Sequence, residues 1–347
     1  SNTVKVGYEG TGTLTISNGG QLTSGGPQGA GSAIGGNIDS DDSYHRGTGQ
    51  VTVTGQGSAW TSSTGITVGV LGNGRIDITA GGVVTSPSAI VSDATDPITH
   101  ALNPAGNATA VIDGNGSAWN LSDGMLVGNT GMGSLYVTNA AMLAATNQIV
   151  VGGQQPGNGN LVLQTGGVAN TAVGIVAAAH GSAGQIFVDG AGSTLNVSNY
   201  LEIGRQGNGF LHVTHQGRVN SASALLATGF SAGGNNTTDN FGTVDIDGNG
   251  SLWNVTGDMN AGQHGTAQLT LTQGGSLTVG ALLTLADQGT GMLAVQQTAR
   301  ATAGRAVLGA AAGSAGSATI TDAGSLWQIN GNLTIGQGGT GTVTVQQ

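Results

Sequence analysis

The decapeptide VTVTGQGSAW at 51–60 returns four times in drifted form. The copies are AVIDGNGSAW (110–119), IFVDGAGSTL (186–195), VDIDGNGSLW (244–253) and ATITDAGSLW (318–327). All four tryptophans of the chain, Trp60, Trp119, Trp253 and Trp327, end a copy, and Leu195 takes that place in the third. A shared tail follows: Trp119 leads to Leu121, Met125, Val127 and Gly128, and Trp327 to Ile329, Leu333, Ile335 and Gly336. A sequence with this self-similarity encodes a stack of like pieces, each of which buries its apolar face only against its neighbours.

A second element alternates with the first. GTGTLTISNGGQL (10–22), GNGRIDITAGGVV (72–84), GNGNLVLQTGGVA (157–169), GNGFLHVTHQGRV (207–219) and GTAQLTLTQGGSL (265–277) share a glycine turn, a period-two apolar pair, a second glycine turn and a further apolar residue. Weaker copies begin at Gly131, Gly289 and Gly339. Alternation over four or five residues between glycine turns is the pattern of short β-strands with one buried face. No stretch carries a capped helical stripe; AVGIVAAAHG is the nearest, and it is short. The expected fold is therefore all-β, a parallel β-solenoid running as one body over 1–347.

The serine of G-x-G-S falls at 58, 117, 193, 251 and 325, at intervals of 59, 76, 58 and 74. Taken as three or four turns of about 19 to 20 residues, these intervals predict about 17–18 coils. The tryptophans share parity with the next apolar position, as Trp253 does with Val255, which predicts that they pack inside or at corners.

Composition fits a thin, regular core. Aromatic residues are 3% of the 347 and charged residues 7%, yet 37% are apolar and 67 are glycine. There is no cysteine, so disulfides contribute nothing and a thiol nucleophile is excluded. The formal charge of −10 comes from 17 acids, 15 of them Asp, against six Arg and Lys5. That balance gives no purchase on nucleic acid or anionic lipid, which both need clustered cations. No apolar run reaches the roughly 18 residues of a membrane-spanning helix, so direct membrane insertion by this chain is not expected.

Three segments interrupt the rhythm, 35–47, 92–108 and 228–242, each just before a G-x-G-S copy. Insertions at one point of a repeat project from one side of a solenoid, and such a side is often where partners bind. They concentrate side chains that are scarce elsewhere, and the candidate ligand-binding residues are Tyr44, His45 and Arg46, then Asp96 and His100, then Phe230, Asn235, Asn236 and Phe241. The plainer alternative is that these loops are simply polar and solvated.

Catalytic chemistry is not written here. Asp77, Asp113 and Asp189 are possible members of a carboxylate pair, but none is clustered beyond its repeat counterpart. The six histidines have no metal spacing. DIDGNG at 245–250 opens like a calcium loop, but the twelfth position is Thr256 rather than the bidentate Glu such a loop requires. It reads as a repeat corner, and neither a metal nor a cofactor is expected. The outward positions Thr52, Asp77, Tyr136, Val162, His212, Thr270 and Thr344 are too mixed for a threonine array that would bind ice.

The alternation of G-x-G-S-x-W with G-x-G-x-[LI]-x-[VI] resembles the repeat shared by type V secretion autotransporter passengers and PEP-CTERM-associated proteins, over essentially the whole chain. The resemblance implies a right-handed, single-stranded parallel β-helix exported to the surface of a Gram-negative bacterium. Such a passenger is tethered by an outer-membrane β-barrel, which is absent from this sequence; Gln347 falls in mid-repeat, as expected of a fragment. The resemblance further implies a non-enzymatic adhesin of the AIDA type. Its expected partner is a host surface glycan or protein, or a second copy of the same protein on another cell, leading to aggregation and biofilm. A passive stalk that presents another domain is the alternative, and a polysaccharide-acting enzyme comes after it.

Overall fold

The computed structural model describes residues 3–25, 31–38, 44–93, 106–229 and 240–346. Its regular structure is entirely β, and almost every pairing is parallel. The chain divides into two compact units, 1–171 and 172–347. In each, the backbone winds through a first strand, a corner, then a second and a third strand before rejoining the next first strand one level up.

Registers within the first unit fix the length of a coil. Val51 lies beside Ile76, 25 positions on, and Leu135 beside Leu161, 26 positions on. In the second unit Leu269 lies beside Leu293, 24 positions on. Where an insertion intervenes the step grows to 34, from Ile76 to Ala110, or to 33, from Leu211 to Val244. Among the described residues the first strand recurs thirteen times, from Thr11–Ile16 to Thr340–Val345, which makes about 12 turns.

The parallel solenoid is therefore as the repeat predicts, but 17–18 coils is too many. The two sequence elements are the same piece of the coil with different corners. Thr48–Thr54, which opens a G-x-G-S copy, pairs residue for residue with Asn73–Thr79, which belongs to the second element. From there, four residues (55–58) lead to Ala59 in one coil and three (80–82) to Val83 in the other, yet Ala59 and Val83 are again partners. The 59-residue interval is one plain coil and one that carries an insertion.

Inward columns form the core. In the first unit Val51, Ile76, Ala110 and Leu135 stack as one column, and Val53, Ile78, Ile112 and Val137 as another, all fully buried. The second strand adds Leu22, Trp60, Val84, Trp119 and Leu143 in register. Trp60, Trp119 and Trp253 are fully buried, as their parity predicts. Each indole N–H is satisfied inside the core by a serine hydroxyl on the preceding coil: Trp60 Nε1 on Ser24 at 2.9 Å, Trp119 on Ser86 at 3.2 Å and Trp253 on Ser221 at 3.1 Å. A buried indole without a partner would cost about 1–3 kcal/mol.

The G-x-G-S serine has an equally specific task. The short corner of the coil below projects a backbone N–H at a residue with positive φ, and the serine hydroxyl accepts it. Ser58 accepts from Gly19 at 3.1 Å, Ser117 from Gly81 at 2.9 Å, Ser251 from Gln216 at 3.0 Å and Ser325 from Thr298 at 3.1 Å. The second position of the first strand answers to space instead. A Cβ on Gly74 would sit 2.2 Å from the Gly69 nitrogen and 2.5 Å from the Ile34 carbonyl oxygen, so this coil admits no side chain there; the same register position is Ala108 and Ala267 in two other coils.

Candidate functional site

All three insertions leave the coil at the same point, after the third strand and before the next first strand. The first lies between Ser32–Ile34 and Thr48–Thr54, the second between Ala89–Asp93 and Asn107–Asp113, and the third between Arg218–Leu226 and Phe241–Asp247. The rest of the coil is tied into the ladder on both sides, so this corner is where extra residues cost least.

The insertion stems are held by polar contacts. In the first unit Thr130 donates its hydroxyl to Asp93 at 3.0 Å, and Ser92 donates to the Gly106 carbonyl. In the second unit the Gly229 N–H donates to the Arg205 carbonyl at 2.8 Å, and the buried Asn240 side-chain amide donates to the Gly204 carbonyl at 2.9 Å.

Of the candidate residues, Tyr44 and His45 form a short antiparallel pairing with Ile38 and Asn37. His45 stacks on Tyr8 at 4.0 Å, and its Nδ1 lies 2.6 Å from the Glu9 carboxylate. Lys5 covers Tyr8 as well, its ammonium 4.9 Å from the ring centroid. Arg46 is exposed beside them. Phe241 begins its first strand 45% exposed, with Asn208 and Thr266 as neighbours. Asp96, His100, Phe230, Asn235 and Asn236 lie outside the described residues.

The outward column of the first strand follows the order read from sequence. Thr52, Asp77, Val111, Tyr136 and Val162 are in register in the first unit, and Phe187, His212, Asp245 and Thr270 in the second. The Phe187 ring stacks on His212 at 4.8 Å, and His212 Nδ1 lies 3.3 Å from Asp245. Such a stack spends one face of each ring on the other, so it is a ladder along the coils more than a platform.

The carboxylates singled out above are each engaged locally. Arg75 holds Asp77 through two bonds of 2.6 and 2.8 Å. Asp113 accepts from Thr138 and Asn139, each at 2.6 Å, and Asp247 from Thr272 at 2.5 Å. Asp189 accepts from the Thr214 hydroxyl and meets His215 Nδ1, both at 2.6 Å. The Thr214 hydroxyl chiefly holds the Asp189 carboxyl below its ordinary range; burial pushes the other way, and His215 adds to the lowering. The same hydrogen bond raises the exposed His215 imidazole. Among the described residues no three His or acidic side chains group as a metal site would require. Among the described residues no helix is long and apolar enough to cross a membrane.

One hollow stands at the foot of the third insertion, in the second unit. It is about 330 Å³ and is lined by Tyr200, Glu202, Arg205, Gln206, Leu225, Thr228 and Gln263. Glu202 occupies an outward column whose next members are Leu225, Asn260, Thr284 and Val307, yet it is only 5% exposed. Arg205 covers it, with Nε and Nη2 each 2.6 Å from Oε2, and Thr228 donates to Oε1 at 2.6 Å. Burial works against the Arg205 charge, but Glu202 more than offsets it and holds the guanidinium above its ordinary value. The candidate residues drawn from sequence do not include these. The available signal was LEIGRQ at 201–206, which places one of the chain's two glutamates three residues from an arginine where charge is rare.

No family profile matches the chain. A stretch of 145 residues, 42% of the chain, is 33% identical to the adhesin BmaC autotransporter of Brucella suis biovar 1 (strain 1330), and covers 4% of that protein's length. Among solved structures, a TibC-catalysed hyper-glycosylated TibA55-350 fragment aligns with 96% of this chain and 99% of its own, at 14% identity and a TM-score of 0.31. The resemblance to autotransporter passengers is thus met by a curated autotransporter adhesin over that stretch.

Proposed function

We propose that this chain is a surface-displayed passenger segment of a bacterial autotransporter adhesin, and that it makes contacts through the side of the coil from which its insertions leave. The partner is a host surface glycan or protein, or the same protein on another cell. The observation that carries the reading is the common exit corner of the three insertions: a solenoid tolerates additions there without disturbing its ladder, and side chains scarce elsewhere are gathered there. The stretch similar to an autotransporter adhesin supports export and attachment as its setting. The role requires no bond to be made or broken; binding rests on surface shape and hydrogen bonding.

The test displays the chain, within its full-length protein, on a bacterium that neither clumps nor attaches. Removing 94–105 and 230–239, which keeps the Thr130–Asp93 and Asn240–Gly204 stem contacts, is expected to abolish clumping and host-cell attachment while the circular-dichroism spectrum of the purified chain keeps its β signature. Undiminished attachment after both deletions would reduce the chain to a stalk.

A further inference from the structure

We infer that the hollow walled by Tyr200, Arg205, Gln206, Leu225 and Gln263 is a binding site for one neutral pyranose sugar. The inference rests on the adhesin reading above and gives it a ligand class. Its volume, about 330 Å³, is at the small end of ligand sites, which suits a single ring in preference to a peptide or an extended chain.

The lining matches the two-sided surface of a sugar. The Gln263 amide, both donor and acceptor, and the Tyr200 hydroxyl, 3.5 Å from Arg205 Nη2, suit a rim of hydroxyl groups. The Tyr200 ring and Leu225 offer apolar surface for the C–H face. The walls come from three successive coils, with Tyr200, Arg205 and Gln206 on one, Leu225 on the next and Gln263 after it. Tyr200 and Leu225 stand on ladder strands, while Arg205, Gln206 and Gln263 sit in turns whose backbone N–H groups donate to the coil below, so stacking sets their spacing and preorganises the site.

Charge decides the sugar class. Arg205 alone would draw an acidic sugar or a phosphate, but Glu202 neutralises it at 2.6 Å. With Nε and Nη2 committed to Glu202, the guanidinium is clamped in one plane, and among the described residues its Nη1 makes no hydrogen bond. That edge offers two N–H donors from a site with no net charge. A carboxylate buried on an outward column is costly unless its pairing serves something. Thr228, at the insertion stem, donates its hydroxyl to Glu202 and lies 3.0 Å from the Arg205 carbonyl, so the pair has a structural task as well. The test must separate the two.

Saturation-transfer NMR on the 347-residue chain, with the methyl glycosides of glucose, galactose, mannose and N-acetylglucosamine, is expected to give a saturable signal with at least one. Gln263→Ala and Tyr200→Ala leave the Glu202–Arg205 pair in place, and each is expected to weaken that signal about tenfold with the melting temperature unchanged, the loss of one good polar or ring contact. The methyl glycoside of glucuronic acid is expected to bind more weakly than the neutral sugars. The inference is overturned if no neutral glycoside saturates, if both variants bind as the parent does, or if the acidic sugar is preferred. Cells that still attach although no glycoside binds would sink the sugar site and leave the adhesin reading standing. Sugar binding without attachment would do the reverse.

Discussion

Trp119 and Trp327 stand at the same place in the repeat, and their surroundings differ. Trp119 has Val84 on one side and Leu143 on the other, is fully buried, and gives its indole N–H to Ser86. Among the described residues Trp327 pairs with Ala301 alone and its indole nitrogen has no partner; the side chain is partly exposed. Two positions beyond the residue each tryptophan sits on, the first has Ser86 and the second Ala303. The motif is thus half of a device whose other half lies on the coil below. A tryptophan here is stabilising in proportion to what the preceding and following turns supply.

The largest test of that difference is truncation. Trp119→Ala is expected to cost about 3–5 kcal/mol, the range for deleting a buried indole, and Trp327→Ala well under half as much. Chemical denaturation followed by circular dichroism measures both, and equal losses would mean that burial by two neighbours adds nothing.

A smaller effect is expected from completing the second site. Ala303→Ser places a hydroxyl where Ser86 stands relative to Trp119, and is expected to add about 1 kcal/mol by giving the Trp327 nitrogen a partner. A red shift of Trp327 fluorescence, from the new acceptor on its N–H, in a variant whose other tryptophans are Phe would accompany it. No change in either quantity would show that the interior serine is incidental.

The smallest is electrostatic and compares corners instead of cores. His215, at the short corner after strand Asn208–Thr214, is exposed and its imidazole is raised by Asp189. A raised histidine contributes fully below its ordinary value near 6.5, and that contribution fades as pH rises through the folded-state value. Asp189, held low, contributes above its ordinary range and loses that contribution as acid protonates it in the fold. The pair is therefore intact between the two folded-state values. An NMR titration is expected to place His215 above a free histidine and to return it to ordinary on Asp189→Asn. At Gln297, the equivalent position after strand Thr290–Val295, the side chain is an amide with no proton to titrate, and its backbone N–H donates to Asp322 on the next coil.

Much of this was open to reading in the sequence, for a physical reason. Alternation through IDIT and VTVT fixes which side chains face inward whatever the coils do next, so the interior columns and Trp60, Trp119 and Trp253 follow directly. The coil length does not follow so simply. A four-residue corner at 55–58 and a three-residue corner at 80–82 look like different motifs on the page but close the same turn. Treating them as separate pieces shortens the apparent coil from about 25 residues to about 20 and inflates the count to 17–18. Register, a property of two coils together, is what identifies them.

The same holds for the candidate site. That insertions share an exit point can be seen from their position relative to G-x-G-S, because chain order alone sets it. That Glu202 is buried cannot. Its parity places it outward, and only the approach of Arg205 and of Thr228, a coil away, folds it under. The sequence by itself determined class, parity and the place of every corner, since these depend on neighbours along the chain. Tertiary structure decided the number of turns, the partner of each tryptophan and the hollow beside Glu202, since each depends on which residues some 25 positions apart are set side by side by the ladder.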